Sequence, residues 1–201
     1  MKREGLLYIV SAPSGTGKTT LLKRVMGYFP DIRFSISYTT RSPRSGERDG
    51  EDYHFISPQR FQQMVEEGAF AEWAEVLSNQ YGTALDSIRE SRSQGVDLIL
   101  DIDSQGARQI EERFNGGVFI FILPPSLEAL KERLNARKVD GQEVIQFRLA
   151  QARDELEQAG WYDYIIVNDR VEEAAEQLKS IIIAERCRRE RVLEHIGISK
   201  L

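Results

Sequence analysis

The strongest chemical signal in the chain is carried by eight consecutive residues, Ala12-Pro13-Ser14-Gly15-Thr16-Gly17-Lys18-Thr19. They match the phosphate-loop pattern G-x-x-x-x-G-K-[ST] at every fixed position but the first, where Ala12 stands for glycine. A methyl group is tolerated there if that residue has negative φ. The apolar run Leu6 to Val10 precedes the loop, and the spacing of Leu21, Leu22 and Val25 after it is helical, so the loop joins a strand to a helix. In that setting the N–H groups of Gly15 to Lys18 surround phosphate oxygens at a helix N-terminus, and Lys18 reaches the outer phosphates. Thr19 then offers an oxygen to magnesium. The alternative is an ordinary glycine-rich turn, and the agreement of motif with context speaks against it.

A second candidate is Asp101, which ends the apolar run Leu98-Ile99-Leu100. It is either a capping or turn residue or the carboxylate that assists the magnesium brought by a phosphate loop. Two basic groupings, Arg41 with Arg44 and Arg133 with Arg137 and Arg148, stand out in a chain whose net charge is -5. An acidic chain with local arginine pairs favours small anionic ligands over nucleic acid, which needs a broad basic field. Cys187 is the one cysteine of the 201 residues, so no internal disulfide forms and a reducing cytoplasm is expected. No apolar stretch approaches a membrane span, and the N-terminal apolar run leads into the loop rather than into a cleavage site.

The elements that must position these residues follow from periodicity. Val96 to Ile102 and Val118 to Leu123 are continuous apolar runs, as strands buried on both faces of a parallel sheet should be. Ser104 to Phe114 and Ser126 to Ala136 read as crossover helices, each opened by a serine cap, and Tyr164 to Val167 reads as a last strand before a helix from Val171. The expected class is α/β. Short β-rich pieces around Phe34 to Tyr38, Tyr53 to Phe55 and Phe70 to Leu77 mark an insert, within which Ser57-Pro58 opens a helix closed by Gly68. The polar stretch Asn135 to Gln142 has the character of a lid tip.

From SAPSGTGKTT through SISYTTRSPRSGERDGEDYHF, EWAEV, NQYGT, LDIDSQG, FILPPS and IVND, order and spacing resemble the guanylate kinases over nearly the whole chain. The resemblance implies a phosphate-loop kinase core formed by 1–32 and 85–201, with parallel sheet and flanking helices. It also implies an inserted mixed β/α GMP-binding subdomain at 33–84 and a short lid at about 135–150. It implies ATP and GMP as substrates, magnesium as cofactor, and no nucleic-acid or membrane partner, while self-association stays open. The implied ATP-binding set is Ala12, Pro13, Ser14, Gly15, Thr16, Gly17, Lys18, Thr19, Thr20 and Asn168, with Thr19 and Asp101 toward the metal.

The same resemblance assigns Arg41, Arg44, Tyr53 and Tyr81 to the GMP phosphate, where planar guanidinium forks suit a dianion and phenol hydroxyls add neutral donors. It assigns Glu72 and Asp103 to guanine, whose N1–H and exocyclic amine call for acceptors, and Ser37 and Thr83 to hydroxyls near the base. Lys18, Arg41, Arg137 and Arg148 are the implied catalytic cations. Read without the family, Asp103 is equally a cap for the helix at Ser104, Arg133 a solvated helix residue, and Asn168-Asp169 a strand-end turn. Lys138 departs from the family pattern, which commonly has glycine after the lid arginine. Three other readings compete: a kinase for another nucleotide or a ribose bisphosphate, a silent phosphopeptide-binding module, and a regulatory GTPase. Glu72 with Asp103, the intact Gly15, Gly17, Lys18 and Thr19, and the lack of an N-K-x-D motif argue against them in turn.

Overall fold

A computed structural model describes residues 4–76, 78–114, 116–136 and 141–195. In chain order the elements are β1 (Leu7–Ser11), α1 (Lys18–Met26), β2 (Ile32–Phe34), β3 (Tyr38–Thr39), β4 (His54–Phe55), α2 (Pro58–Glu66), β5 (Phe70–Val76) and β6 (Asn79–Ala84). There follow α3 (Leu85–Gln94), β7 (Asp97–Asp101), α4 (Ser104–Arg113), β8 (Val118–Leu123), α5 (Leu127–Ala136), α6 (Gln142–Glu157), β9 (Tyr164–Val167), α7 (Val171–Arg186) and α8 (Arg189–His195). The larger sheet has the strand order β2-β7-β1-β8-β9, and the smaller one β4-β3-β6-β5. This is the expected α/β class.

The chain packs as two compact units that divide within β1, one holding 10–30 and 118–201 and the other 2–9 and 31–117. In the first, β8 and β9 pair in parallel from Ile120 opposite Tyr164 to Leu123 opposite Val167. Helix α1 packs on α7, and α5 packs on α6 through buried Leu130, Leu134, Ile145 and Ala152. In the second, β2 and β7 pair in parallel, Ile32 opposite Asp97 through Phe34 opposite Ile99. The smaller sheet is mixed: β3 runs parallel to β4, and β6 is antiparallel to both β3 and β5. Its apolar face closes on α2 through Phe61, Met64 and Phe70, with Phe61 and Phe70 stacked at 4.5 Å.

Local chemistry sets most boundaries. Ser57 caps α2 by accepting from the Arg60 N–H, Pro58 takes the first turn, and Gly68 follows the end with φ 65°. Ser126 Oγ likewise accepts from the Ala129 N–H at 3.0 Å, as expected. The expectation that Ser104 caps its helix is corrected: Asp103 is the cap, its Oδ1 accepting from the Gly106 N–H at 2.8 Å, and Ser104 is the first helical residue. Asp103 has extended backbone, the conformation that lets a carboxylate fold back on the first turn. The stretch Phe34 to Tyr38 also divides, since Phe34 ends β2 in the larger sheet while Tyr38 begins β3 in the smaller. Strand β6 and helix α3 carry too little apolar period to be read from sequence, being NQYGTA and LDSIRESRSQ. Among the described residues no helix is long and apolar enough to cross a membrane.

Candidate active site

The first unit carries the phosphate loop. Gly15 and Gly17 have φ of 94° and 95°, left-handed values that favour glycine. Space enforces the same choice, because a Cβ on Gly15 would lie 2.7 Å from the Leu134 side chain and one on Gly17 2.8 Å from Asn168 Nδ2. Ser78 is the one non-glycine with positive φ among the described residues, so Ala12 meets the condition under which its methyl fits. The loop turns on Thr16, whose N–H and hydroxyl both donate to the Pro13 carbonyl, at 3.2 and 2.7 Å. Helix α1 then starts at Lys18 with Gly17 as its cap, and a glycine cap offers the first turn no side-chain bond. An uncapped first turn preceded by two left-handed glycines presents N–H dipoles to an anion.

Two side chains brace this loop from β9 and α5. Asn168, buried at the end of β9, donates from Nδ2 to the Thr16 carbonyl at 2.8 Å. Arg133 donates to the carbonyls of Thr16, Asn168 and Asp169 at 3.2, 2.9 and 3.3 Å. Both hold backbone together, so Arg133 is not a freely solvated helix residue. Arg148 on α6 donates to Ser14 Oγ at 3.2 Å, which sets this guanidinium against the loop. Lys18 Nζ lies 3.4 Å from the Val10 carbonyl. Thr19 and Thr20 are exposed on the first turn of α1. Arg137 and Lys138 lie outside the described residues.

The second unit gathers a different set, Arg41, Arg44, Glu47 and Tyr53 from the segment between β3 and β4 and Tyr81 from β6. Arg41 forms a bidentate pair with Glu47, Nη1 and Nη2 each at 2.9 Å from a carboxylate oxygen, and Nη1 also donates to the Ser42 carbonyl at 2.8 Å. Glu47 further accepts from the Arg44 N–H at 2.7 Å, so one carboxylate ties both arginines of the R-x-x-R segment. The hydrogen bonds to Glu47 raise the Arg41 pKa, with Tyr81 adding to the effect, and Arg41 holds the Glu47 carboxyl below its ordinary range. The Arg41 guanidinium stands 5.4 Å from the Tyr53 ring centre, and the Tyr53 and Tyr81 rings meet edge-on at 5.9 Å. Burial, and then the charge of Asp101, pushes the Tyr53 hydroxyl up to about 12, so it remains a proton donor. Arg41, Tyr53 and Tyr81 are thus brought together. Arg44 joins them by its backbone, its side chain being exposed.

Sheet register sets a neighbouring group of polar side chains. Glu72 on β5 lies directly opposite Thr83 on β6, so both side chains share one face, and Tyr81 lies two residues along the same face. Glu72 is 3% exposed and Thr83 is fully buried, with the Thr83 hydroxyl lacking a hydrogen-bond partner among the described residues. Ser37, also buried, precedes β3. Asp103 enters as the cap of α4. Sequence reasoning passed over Glu47, although it lies within the stretch SISYTTRSPRSGERDGEDYHF.

A family model described as guanylate kinase matches residues 4–185. The guanylate kinase of Geobacter metallireducens is 59% identical over 196 residues, spanning 98% of this chain and 97% of that protein. The guanylate kinase of Geobacter sulfurreducens is 58% identical over 197 residues, again 98% and 97% of the two chains. The crystal structure of guanylate kinase from Anaplasma phagocytophilum superposes with a TM-score of 0.78 at 32% identity, covering 100% of this chain and 99% of that one. With a family match across nearly its whole length and relatives this similar over both partners' lengths, the chain belongs to the guanylate kinase family.

Proposed function

We propose that the chain transfers the γ-phosphoryl group of ATP to GMP, with the donor on the phosphate loop and the acceptor in the pocket of the smaller sheet. As a guanylate kinase it phosphorylates GMP at the expense of ATP. The observation that carries the pocket's role is the buried pair Glu72 and Thr83, a carboxylate facing the same way as an unpartnered hydroxyl. A buried hydroxyl without a partner costs on the order of 1–3 kcal/mol, which a ligand polar group relieves. Guanine supplies the complement: donors at N1 and N2 for Glu72 and Asp103, and an acceptor at O6 for a hydroxyl from Thr83 or Ser37.

The division of labour follows the chemistry. Arg41, Arg44, Tyr53 and Tyr81 hold the GMP phosphate, and segment 33–84 acts as the GMP-binding insert. That phosphate has a second pKa near 6, so at neutral pH its attacking oxygen already carries the electron pair and needs no general base. The remaining task is to neutralise charge on the transferring group, which falls to Lys18, the α1 N-terminus, Arg148 and Arg137, with Arg41 on the acceptor side. Ala12 to Thr20 hold the donor phosphates, and Asn168 keeps the loop in its binding shape.

Magnesium is the ion this reading assigns to the donor phosphates. Among the described residues there is no group of three or more acidic, histidine or cysteine side chains that would form a protein cage. A sparse set of oxygens is what this ion uses when substrate phosphates and water complete its shell. Thr19 and Asp101 would serve it, and the ion would supply charge neutralisation at the phosphates. The reading extends to dGMP as acceptor, a cytoplasmic place in purine nucleotide metabolism, no nucleic-acid partner and an open possibility of homo-oligomers. The test is ADP release with GMP, dGMP, AMP, CMP and UMP at equal concentrations; turnover with GMP and dGMP far above the rest is expected, and equal turnover with AMP would overturn the assignment.

A further inference from the structure

Helix α4 contains a glycine at its third residue, Gly106, where an interior alanine would favour the helix. Its backbone is not left-handed, so conformation does not demand glycine. Space does. A Cβ on Gly106 would lie 2.3 Å from Glu72 Oε2, 3.0 Å from Glu72 Cδ and 3.5 Å from Asp103 Oδ1. The bare Cα of one helical residue therefore faces both carboxylates assigned to guanine.

The helix has little freedom to step back. Gln109 one turn on clasps the Trp73 backbone of β5, its Nε2 donating to the carbonyl at 2.7 Å and its Oε1 accepting from the N–H at 3.2 Å. Arg113 Nη1 donates to the carbonyls of Ala71 and Phe70 at 2.8 and 3.2 Å. These latches fall on both sides of Glu72, and the Gly106 N–H is itself bonded to Asp103. Any extra atom on Gly106 must then be accommodated by the Glu72 carboxylate, the far end of a buried side chain.

We infer that Gly106 is a specificity-determining positioning residue, whose missing side chain lets α4 press against β5 and fixes the Glu72 carboxylate where it meets the guanine edge. The inference rests on the guanine reading of Glu72 and deepens it. Helix stability is given up at this position in exchange for carboxylate placement.

The test combines Gly106→Ala, Glu72→Ala and the double substitution, read by KM for GMP, KM for ATP, kcat and Tm. Gly106→Ala is expected to raise KM for GMP about tenfold to a hundredfold, the size of one charge-assisted hydrogen bond, while KM for ATP stays within about twofold. In the Glu72→Ala background the same alanine should leave KM for GMP within about twofold and raise Tm, because the clash is gone and only the helix preference remains. Wild-type KM for GMP in Gly106→Ala, or penalties that multiply in the double variant, would overturn the inference while a defect in Glu72→Ala left the guanine reading standing. Wild-type KM for GMP in Glu72→Ala would overturn both. Should Gly106→Ala fail to fold, Glu72→Ala is expected to restore folding, and failure to restore it would also sink the idea.

Discussion

The two proposed ligand sites of this chain are built by opposite means. The phosphate loop is a run of adjacent residues that binds with its backbone: two left-handed glycines, the uncapped start of α1, and a few side chains that brace carbonyls. The proposed acceptor site is assembled from residues between Ser37 and Asp103 and presents side chains held by strand register, an ion pair and a helix cap. A backbone cradle recognises what all nucleoside triphosphates share, whereas a side-chain pocket can read the edge of one base. Donor binding should therefore depend on the loop backbone and on the side chains that brace it, and acceptor choice should hinge on a few buried groups.

The largest expected effect tests that contrast directly. A buried site made to bond a polar edge rejects a ligand lacking it by about four orders of magnitude, so kcat/KM for GMP should exceed that for AMP by about that factor. IMP, which lacks only the exocyclic amine, should fall between them, and Glu72→Gln should lower GMP turnover because an amide mixes donor with acceptor and drops the charge. Next comes Lys18→Ala, expected to lower kcat by about two to three orders of magnitude with KM for GMP nearly unchanged. A comparable loss of GMP affinity would erase the distinction between the two sites. Arg44→Ala should act on the other side, weakening GMP binding by about 1.5–3 kcal/mol in calorimetry while ATP binding holds.

The smallest effect concerns Glu47, the partner of both arginines. Glu47→Gln removes a paired carboxylate and should cost about 1 kcal/mol in urea denaturation at neutral pH. Because Arg41 lowers the Glu47 pKa from its ordinary 4.5, the contribution is fully present above that value. It is lost as pH falls through the depressed value of the folded state. The stability gap between wild type and variant should therefore close in acid; a gap that persisted there would mean that the carboxylate charge is not what Arg41 uses.

The sequence alone determined the strand-loop-helix around Ala12 to Thr19 and the apolar strands β1, β7 and β8. Its motif order likewise marked the family. These are local features: a glycine at a left-handed turn, a serine or proline at a helix start and an unbroken apolar run each act within a few residues. Tertiary structure alone decided which side chains share a face. Only the β5–β6 register sets Glu72 opposite Thr83, only the packing of α4 on β5 brings Gly106 under that carboxylate, and only the fold of 41–47 closes Glu47 onto Arg41. Asp103 could be read as cap or base ligand, and its bond to the Gly106 N–H makes it a cap whatever else it does. Arg133 could be read as solvated, and only the positions of three carbonyls from two distant segments turn it into a brace. Such contacts join residues far apart in the chain, and no local propensity encodes which distant partner a strand or helix will meet.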